Sequence, residues 1–163
     1  MSSKPLVSII MGSASDWDTM RACSETLDKF GIPHETNVAS AHRAPDKVAQ
    51  IASQAGARGI KVFIAAAGGA AHLAGTVAAR SSLPVIGVPM KGWATDGLDS
   101  LLSTVQMPRG IPVLTVAIGK AGAVNAAIAA LQILALSDEQ YAGILEKFRQ
   151  DQTRQASNTE LEK

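Results

Sequence analysis

The sequence predicts one α/β domain in which helices cover both faces of a parallel sheet, a three-layer αβα sandwich. Three observations support this fold class: short strand-like runs alternate with longer helical ones, the strand-like runs read as continuous apolar runs more than as alternating ones, and loops of small residues follow several of them. Apolar runs without alternation are typical of parallel strands that are buried on both faces. The 163 residues of the chain are enough for one domain with its own core.

Five segments are candidate strands. They are Leu6–Met11, Glu35–Ala39, Lys61–Ala67, Val85–Val88 and Val113–Ile118. A helical segment follows each one, and this βα alternation predicts five parallel strands with helices stacked on both sides. Because no repeat or linker interrupts the pattern, we expect residues 1–155 to form a single α/β domain.

Six helices are predicted in the intervals, with starts and ends that follow from capping residues and helix breakers. The first begins with Ser15–Asp18, a capping-box pattern, and ends before Gly31, and the second begins at Pro45. The fifth is apolar nearly all round and should therefore be buried. The six helices cover residues 15–30, 45–56, 70–80, 98–105, 121–136 and 137–155.

The sixth helix carries Tyr141, Ile144, Leu145 and Phe148 on one stripe at helical spacing. Because the sheet is complete after five βα units, we expect this stripe to dock on its own subunit or on a neighbouring one. The tail, residues 156–163, is polar and is expected to be disordered.

Charged residues are scarce in the centre of the chain. Residues 60–136 contain seven of them, about 9% of that segment, against 18% for the whole chain. A monomer of this size cannot bury so much apolar sequence, so we expect a large subunit interface in a symmetric homo-oligomer. An extended apolar binding surface is the alternative explanation.

The composition argues against several classes of protein. A net charge of +1 and 4% aromatic residues predict neither a nucleic-acid nor a membrane surface. The single cysteine, Cys23, allows no internal disulfide, and no leader-like or membrane-spanning apolar run is found, so a cytoplasmic protein is expected. His34, His42 and His72 lack metal-ligand spacing, and phosphate-binding motifs of the GxxxxGK[ST] and GxGxxG types are absent.

The first of three loops that could carry chemistry is Gly12–Asp16, which leads from a strand into a helix. Loops of this kind gather at one edge of a parallel sheet, where ligands bind. Small residues, the hydroxyls of Ser13 and Ser15 and the helix N-terminus favour a phosphate, whereas Asp16 suits ribose hydroxyls. An ordinary capped turn is the alternative.

The second loop, Ser40–Asp46, places a hydroxyl, an imidazole and a guanidinium within four residues. Ser40 and Arg43 suit a phosphate, and His42 is the best candidate for a general acid–base near neutral pH. A capping histidine beside a surface arginine is the alternative interpretation.

The third loop, Ala66–His72, has almost no side chains and offers backbone N–H and C=O groups at close range. Such a surface can hold a planar ring, a small carboxylate or CO2. Tight helix packing is the alternative, with His72 as a helix-start residue. A further segment, Gln106–Gly110, is expected at the opposite edge of the sheet, where it could not easily reach the site of its own subunit.

Four motifs in order resemble the bacterial N5-carboxyaminoimidazole ribonucleotide mutases of purine biosynthesis. The likeness runs from about Leu6 to Leu136, with Ala74 standing where the family usually has proline. The motifs are Gly12–Trp17, Ser40–Asp46, Gly68–Leu73 and Gln106–Pro112.

The resemblance implies a flavodoxin-like sheet and a homo-octamer with sites at subunit junctions. It also implies a reaction that needs no metal, ATP or organic cofactor. In that reaction a carboxylate moves from the exocyclic nitrogen of an aminoimidazole ribonucleotide to ring carbon C4. A direct carboxylase that uses CO2 and a non-catalytic nucleotide-binding module remain the alternatives.

The resemblance also assigns roles to residues of this chain. His42 is the catalytic acid–base, Arg43 with two serines holds the 5′-phosphate, Asp16 binds the ribose, and the backbone of residues 66–71 holds the ring and the migrating CO2. The substrate-binding set so implied is Gly12, Ser13, Ser15, Asp16, Ser40, Ala41, Arg43, Ala67, Gly68, Gly69, His72 and Leu73.

Overall fold

The computed structural model describes residues 4–92 and 94–158 and shows a five-stranded parallel sheet with the strand order β2-β1-β3-β4-β5. All four pairs of adjacent strands are parallel. This order is that of a flavodoxin-like sheet, so the predicted fold class is confirmed. The strands are β1 Val7–Met11, β2 His34–Val38, β3 Val62–Ala67, β4 Val85–Pro89 and β5 Leu114–Thr115.

Helices lie on both faces of the sheet. Those in the described part of the chain are α1 Trp17–Lys29, α2 Pro45–Arg58, α3 Leu73–Ala78, α4 Leu98–Val105, α5 Lys120–Ala135 and α6 Glu139–Ser157. α1 and α5 cover one face, whereas α2, α3 and α4 cover the other. Successive residues of a strand therefore enter different cores: Ile9 packs among α1 and α5, and Ile10 packs against α2.

The helical stripe of α6 docks on its own subunit. Tyr141 is buried, and Phe148 meets Phe30 of the helix α1 C-terminus edge to face, with ring centroids 5.3 Å apart. α6 continues to Ser157, two residues into the segment expected to be a disordered tail, and residues 159–163 lie outside the described residues. The prediction that α5 is buried nearly all round was wrong: one face packs on the sheet and against α1 and α6, whereas Asn125 and Gln132 are exposed.

Three predicted boundaries were wrong. β5 is confined to Leu114–Thr115 of the predicted Val113–Ile118. The capping box before α1 is formed by Ser13 and Asp16, and not by Ser15–Asp18. α3 begins only at Leu73, because the hydroxyl of Ser103 binds the backbone N–H of Ala71 and holds the preceding residues in a loop. No helix in the described residues is long and apolar enough to cross a membrane.

A polar cluster joins β1 and β2 to the end of α2. The Glu35 carboxylate accepts hydrogen bonds from the fully buried Ser8 at 2.8 Å, from Asn37 at 3.1 Å and from both terminal nitrogens of Arg58 at 2.6 and 2.9 Å. Desolvation alone would raise the pKa of Glu35, but these hydrogen bonds and the charge of Arg58 outweigh it. The pKa of Glu35 is therefore lowered below its ordinary value of 4.5.

This cluster predicts a pH-dependent contribution to stability. A carboxyl with a depressed pKa stabilises the fold above its unfolded pKa, and the contribution disappears as the pH falls through the folded value. Glu35→Gln should lower the free energy of unfolding by about 1 kcal/mol at pH 7. The difference from wild type should shrink below about pH 4.5, as measured by urea-induced unfolding at several pH values.

Asp151→Asn is the matched control, because Asp151 pairs with Lys147 on the exposed face of α6. This substitution should leave the free energy of unfolding close to that of wild type at each of these pH values, because water and salt screen the exposed pair. An equal loss for Glu35→Gln at pH 3 and pH 7 would contradict the assigned ionic role of Glu35.

Candidate active site

The loops that follow β1, β2 and β3 meet at the carboxyl edge of the sheet. Met11 pairs in register with Val38 of β2 and Ala66 of β3, so the three strands end together. The Gly12 N–H donates to the Ala66 carbonyl at 3.0 Å, and the Ala39 N–H donates to the Met11 carbonyl at 2.9 Å. Because β1 lies between β2 and β3, the three loops predicted to carry chemistry are neighbours.

Two predicted site residues, His42 and His72, are in direct contact across this edge. His42 Nε2 lies 2.9 Å from His72 Nδ1, and the rings meet edge to face with centroids 5.0 Å apart. Both side chains are exposed. A hydrogen bond between two imidazole nitrogens requires one N–H donor and one bare acceptor, so the rings share a single proton along this contact.

The shared proton makes the pair suited to acid–base chemistry. When the proton is on His42 Nε2 and the ring is neutral, its Nδ1 is a base. When the proton moves to His72, a proton on His42 Nδ1 can be donated. An imidazole in such a pair can therefore give and take a proton in turn at one position.

Arg43 connects the second loop to the first. Its Nη2 donates to the Gly12 carbonyl at 3.3 Å, and its Nε donates to Ser40 Oγ at 3.4 Å. Ser40 Oγ also accepts the backbone N–H of Arg43 at 3.2 Å, which fixes the turn before α2. The guanidinium is exposed and has further N–H donors that could engage an anion.

The first loop presents two hydroxyls beside the start of α1. Ser13 Oγ and Ser15 Oγ are 2.9 Å apart, and the Asp16 carboxylate accepts the Ser13 N–H at 3.2 Å. Partial burial raises the pKa of Asp16, and the Ser13 hydrogen bond only partly offsets that rise. The helix N-terminus and the paired hydroxyls form a site that suits a phosphate.

The third loop is held mainly through its backbone. Gly69 has φ = 63°, a left-handed conformation that favours glycine, while Ala67 and Gly68 are half-buried at the edge of the site. Leu73 is 2% exposed and its side chain packs in the core. The structure therefore does not bring the Leu73 side chain to the surface of the site, and Ala41 likewise packs partly against that core.

The other candidates for reactive groups lie away from this edge. His34 has 10% of its side chain exposed and is held by Ser24 Oγ at 2.6 Å and by the Ile32 carbonyl at 3.0 Å, so it is a structural residue. Burial raises the pKa of the Cys23 thiol to about 12, which makes it an inert core residue. Residues 4–92 and 94–158 contain no cluster of three potential metal-ligating side chains.

A groove of about 410 Å³ opens beside His72 between α3 and α4. Met107 lines it, with Sδ and Cε 3.1 Å from the position that a Cβ on Gly75 would take. Met107 therefore reaches the groove that His72 borders, whereas the statement that the segment 106–110 cannot easily reach the site of its own subunit stays a prediction. Ser103 also lines the groove and holds the third loop, and no motif in the sequence indicated it.

Comparison with known proteins identifies the family of this chain. The family model described as AIR carboxylase matches residues 6–155. The N5-carboxyaminoimidazole ribonucleotide mutase of Aliivibrio fischeri is 58% identical over 147 residues, which cover 90% of this chain and 91% of that protein. The protein of the same name from Bacillus subtilis is 56% identical over 148 residues, covering 91% of each.

A solved structure agrees with the sequence matches. The crystal structure of Treponema denticola PurE superposes with a TM-score of 0.85 and 28% sequence identity, covering 93% of this chain and 94% of that one. The family match over nearly the whole domain and identities above one half show that the chain belongs to the AIR carboxylase family.

Proposed function

We propose that this chain is an isomerase that converts N5-carboxyaminoimidazole ribonucleotide to 4-carboxy-5-aminoimidazole ribonucleotide in de novo purine biosynthesis. The observation that carries the proposal is the exposed His42–His72 pair at the junction of three loops that suit a phosphorylated ligand. The names of relatives that match nine tenths of the chain support the same reaction. They also favour a mutase over a direct carboxylase.

His42 is the acid and the base of the proposed reaction. The bond between the exocyclic nitrogen and the carboxylate carbon breaks, CO2 is released, and the nitrogen takes a proton from His42. Ring carbon C4 then attacks the same CO2, and its proton returns to His42 as the new carbon–carbon bond forms. The reaction consumes no net proton, so one histidine serves both steps, and His72 accepts or returns the proton shared between the rings.

The 5′-phosphate is held between the first and second loops. Ser15, Ser40 and Arg43 bind it, with help from Ser13 and the backbone of Gly12. Support comes from the Arg43 guanidinium, which already joins the two loops at Gly12 and Ser40, and from the paired serine hydroxyls at the start of α1. Asp16, which lies next in this loop, accepts hydrogen bonds from the ribose hydroxyls.

The third loop encloses the ring and the migrating CO2. The backbone of residues 66–71 supplies the surface, with Gly68 and Gly69 allowing close approach. Ala41 and Leu73 contribute backbone atoms rather than side chains, since the Leu73 side chain lies in the core and that of Ala41 packs against it. Enclosure matters for this reaction, because CO2 that escapes leaves aminoimidazole ribonucleotide in place of the product.

His42→Asn should lower kcat by at least about a hundredfold, because the side chain loses its proton-transfer capacity. Binding of the 4-carboxylated product should change little, since the phosphate contacts remain. Formation of that product from fresh substrate, without ATP, metal or bicarbonate, measures the first effect, and calorimetric titration measures the second. Normal turnover by the variant would remove His42 from the mechanism.

Arg43→Ala is the companion variant, with Arg21→Ala as its matched control. Arg43→Ala should raise KM and leave kcat nearly unchanged, because Arg43 is proposed to bind the phosphate in the ground state and the transition state alike. Arg21 is exposed on α1 and pairs with Asp18, so its loss should change neither constant. An unchanged KM for Arg43→Ala would show that the phosphate binds elsewhere.

The proposal includes assembly of the cytoplasmic enzyme as a homo-oligomer, an octamer as the resemblance implies. Support comes from α4, whose outer face exposes Leu98, Leu102 and Val105 at 53%, 50% and 47%, and from the exposed Leu136 at 87%. Apolar residues spaced along one helix face are typical of a subunit contact.

The assembly can be tested by sedimentation velocity. Wild-type chain should sediment as a species several times heavier than its 16.9 kDa, and Leu102→Asp should shift it towards smaller species, because a charge would be buried in the contact. Gln132→Asp on the exposed face of α5 is the control for added charge. A wild-type monomer at micromolar concentration would contradict the proposal.

A further inference from the structure

α4 is connected to the third loop by one hydroxyl group. Ser103 Oγ accepts the backbone N–H of Ala71 at 2.9 Å, and it lies 2.7 Å from the Asp99 carbonyl and 3.3 Å from the Gly69 carbonyl. A serine hydroxyl has one proton to donate and two lone pairs to accept. Donation to the nearest carbonyl, that of Asp99, leaves the oxygen free to accept from Ala71.

The Ala71 N–H is shielded from water by its own loop. Ala71 is 2% exposed and Gly69 is buried, so the N–H of Ala71 depends on a protein acceptor. Helix α4, which supplies the acceptor, is itself anchored to the sheet. The buried Ser100 Oγ lies 2.6 Å from the carbonyl oxygen of Met90, the residue that follows β4. The hydroxyl of Ser103 therefore ties the loop to a rigid part of the fold.

The position of Ala71 gives this contact its effect on the site. Ala71 directly precedes His72, whose Nδ1 meets His42 Nε2 at 2.9 Å. No side-chain hydrogen bond caps α3 at His72, and Gly69, two residues before Ala71, is a glycine with wide backbone freedom. A shift of the Ala71 backbone would therefore move the His72 ring and open the small-residue surface together.

We propose that Ser103 is a positioning residue for the proposed mutase reaction. It touches neither the reacting atoms nor the phosphate, and it acts by holding the backbone that orients His72 and encloses CO2. The inference rests on the proposed function for its catalytic consequence. Its structural part, the anchoring of the loop by the hydroxyl, can be tested independently of any activity.

The kinetic test compares Ser103→Ala and Ser103→Thr with the control Thr104→Val. Ser103→Ala should lower kcat about tenfold and leave KM within about twofold, because the phosphate contacts are intact while the reacting groups are misplaced. A larger fraction of the substrate should end as aminoimidazole ribonucleotide and CO2, after subtraction of decarboxylation without enzyme. Ser103→Thr keeps the hydroxyl, and the adjoining groove has room for its methyl group. This variant should therefore retain the wild-type kcat and the wild-type fraction of substrate lost as aminoimidazole ribonucleotide and CO2.

Thr104→Val separates loop anchoring from general damage to α4. The Thr104 hydroxyl is buried and donates to the Ser100 carbonyl within the helix at 2.7 Å, and it makes no hydrogen bond to the loop among the described residues. Its loss should leave the fraction of substrate converted to product unchanged. An equal rise in released CO2 for Thr104→Val and Ser103→Ala would overturn the positioning role.

Hydrogen exchange of the 163-residue chain tests the anchoring itself. Peptides that cover residues 67–76 should exchange faster in Ser103→Ala than in wild type, Ser103→Thr or Thr104→Val. Unchanged exchange would overturn the anchoring, and faster exchange with wild-type kcat and CO2 release would overturn the positioning role. Absence of mutase activity in wild type would instead refute the proposed function, and the exchange result would then still decide whether Ser103 holds the loop.

Discussion

The register of three neighbouring strands determines where the chemistry of this molecule takes place. Met11 of β1 pairs with Val38 of β2 and with Ala66 of β3, so the following loops begin at the same height on one edge. A shift of one residue in either pairing would turn the strand side chains to the opposite faces of the sheet and displace a loop. The apolar residues that fill both cores hold this register, and the site depends on them although none of them touches a ligand.

This arrangement divides the work of the proposed reaction among the loops. In the proposed reaction the first two loops hold the phosphate, and Arg43 joins them through its hydrogen bonds to Gly12 and Ser40. The second and third share the proton through His42 and His72. Phosphate binding and proton transfer thus use separate contacts. The second loop takes part in both, through Arg43 and His42. The third loop is held by α4, whose outer face carries the apolar residues of the proposed subunit contact.

The sequence was sufficient for the fold class and for the residues of the three loops, because continuous apolar strands and small-residue loops are local signals. It was not sufficient where a choice depended on tertiary contacts. Both Ser13–Asp16 and Ser15–Asp18 fit a capping box, and the folded chain forms only the first. The pairing of His42 with His72 depends on strand order, since 30 residues separate them. Ser103 resembles any other helical serine in the sequence, and only its distance from Ala71 reveals it.

The central claim is that CO2 stays enclosed between the breaking and the forming of its bonds. The most direct test supplies the wild-type enzyme with substrate labelled with ¹³C in its carboxylate, in an excess of unlabelled bicarbonate and without ATP. The account predicts a C4-carboxylated product that retains the label. A product that carries unlabelled carbon would contradict the account and identify a carboxylase that uses free CO2, and the absence of product would favour a non-catalytic binding module.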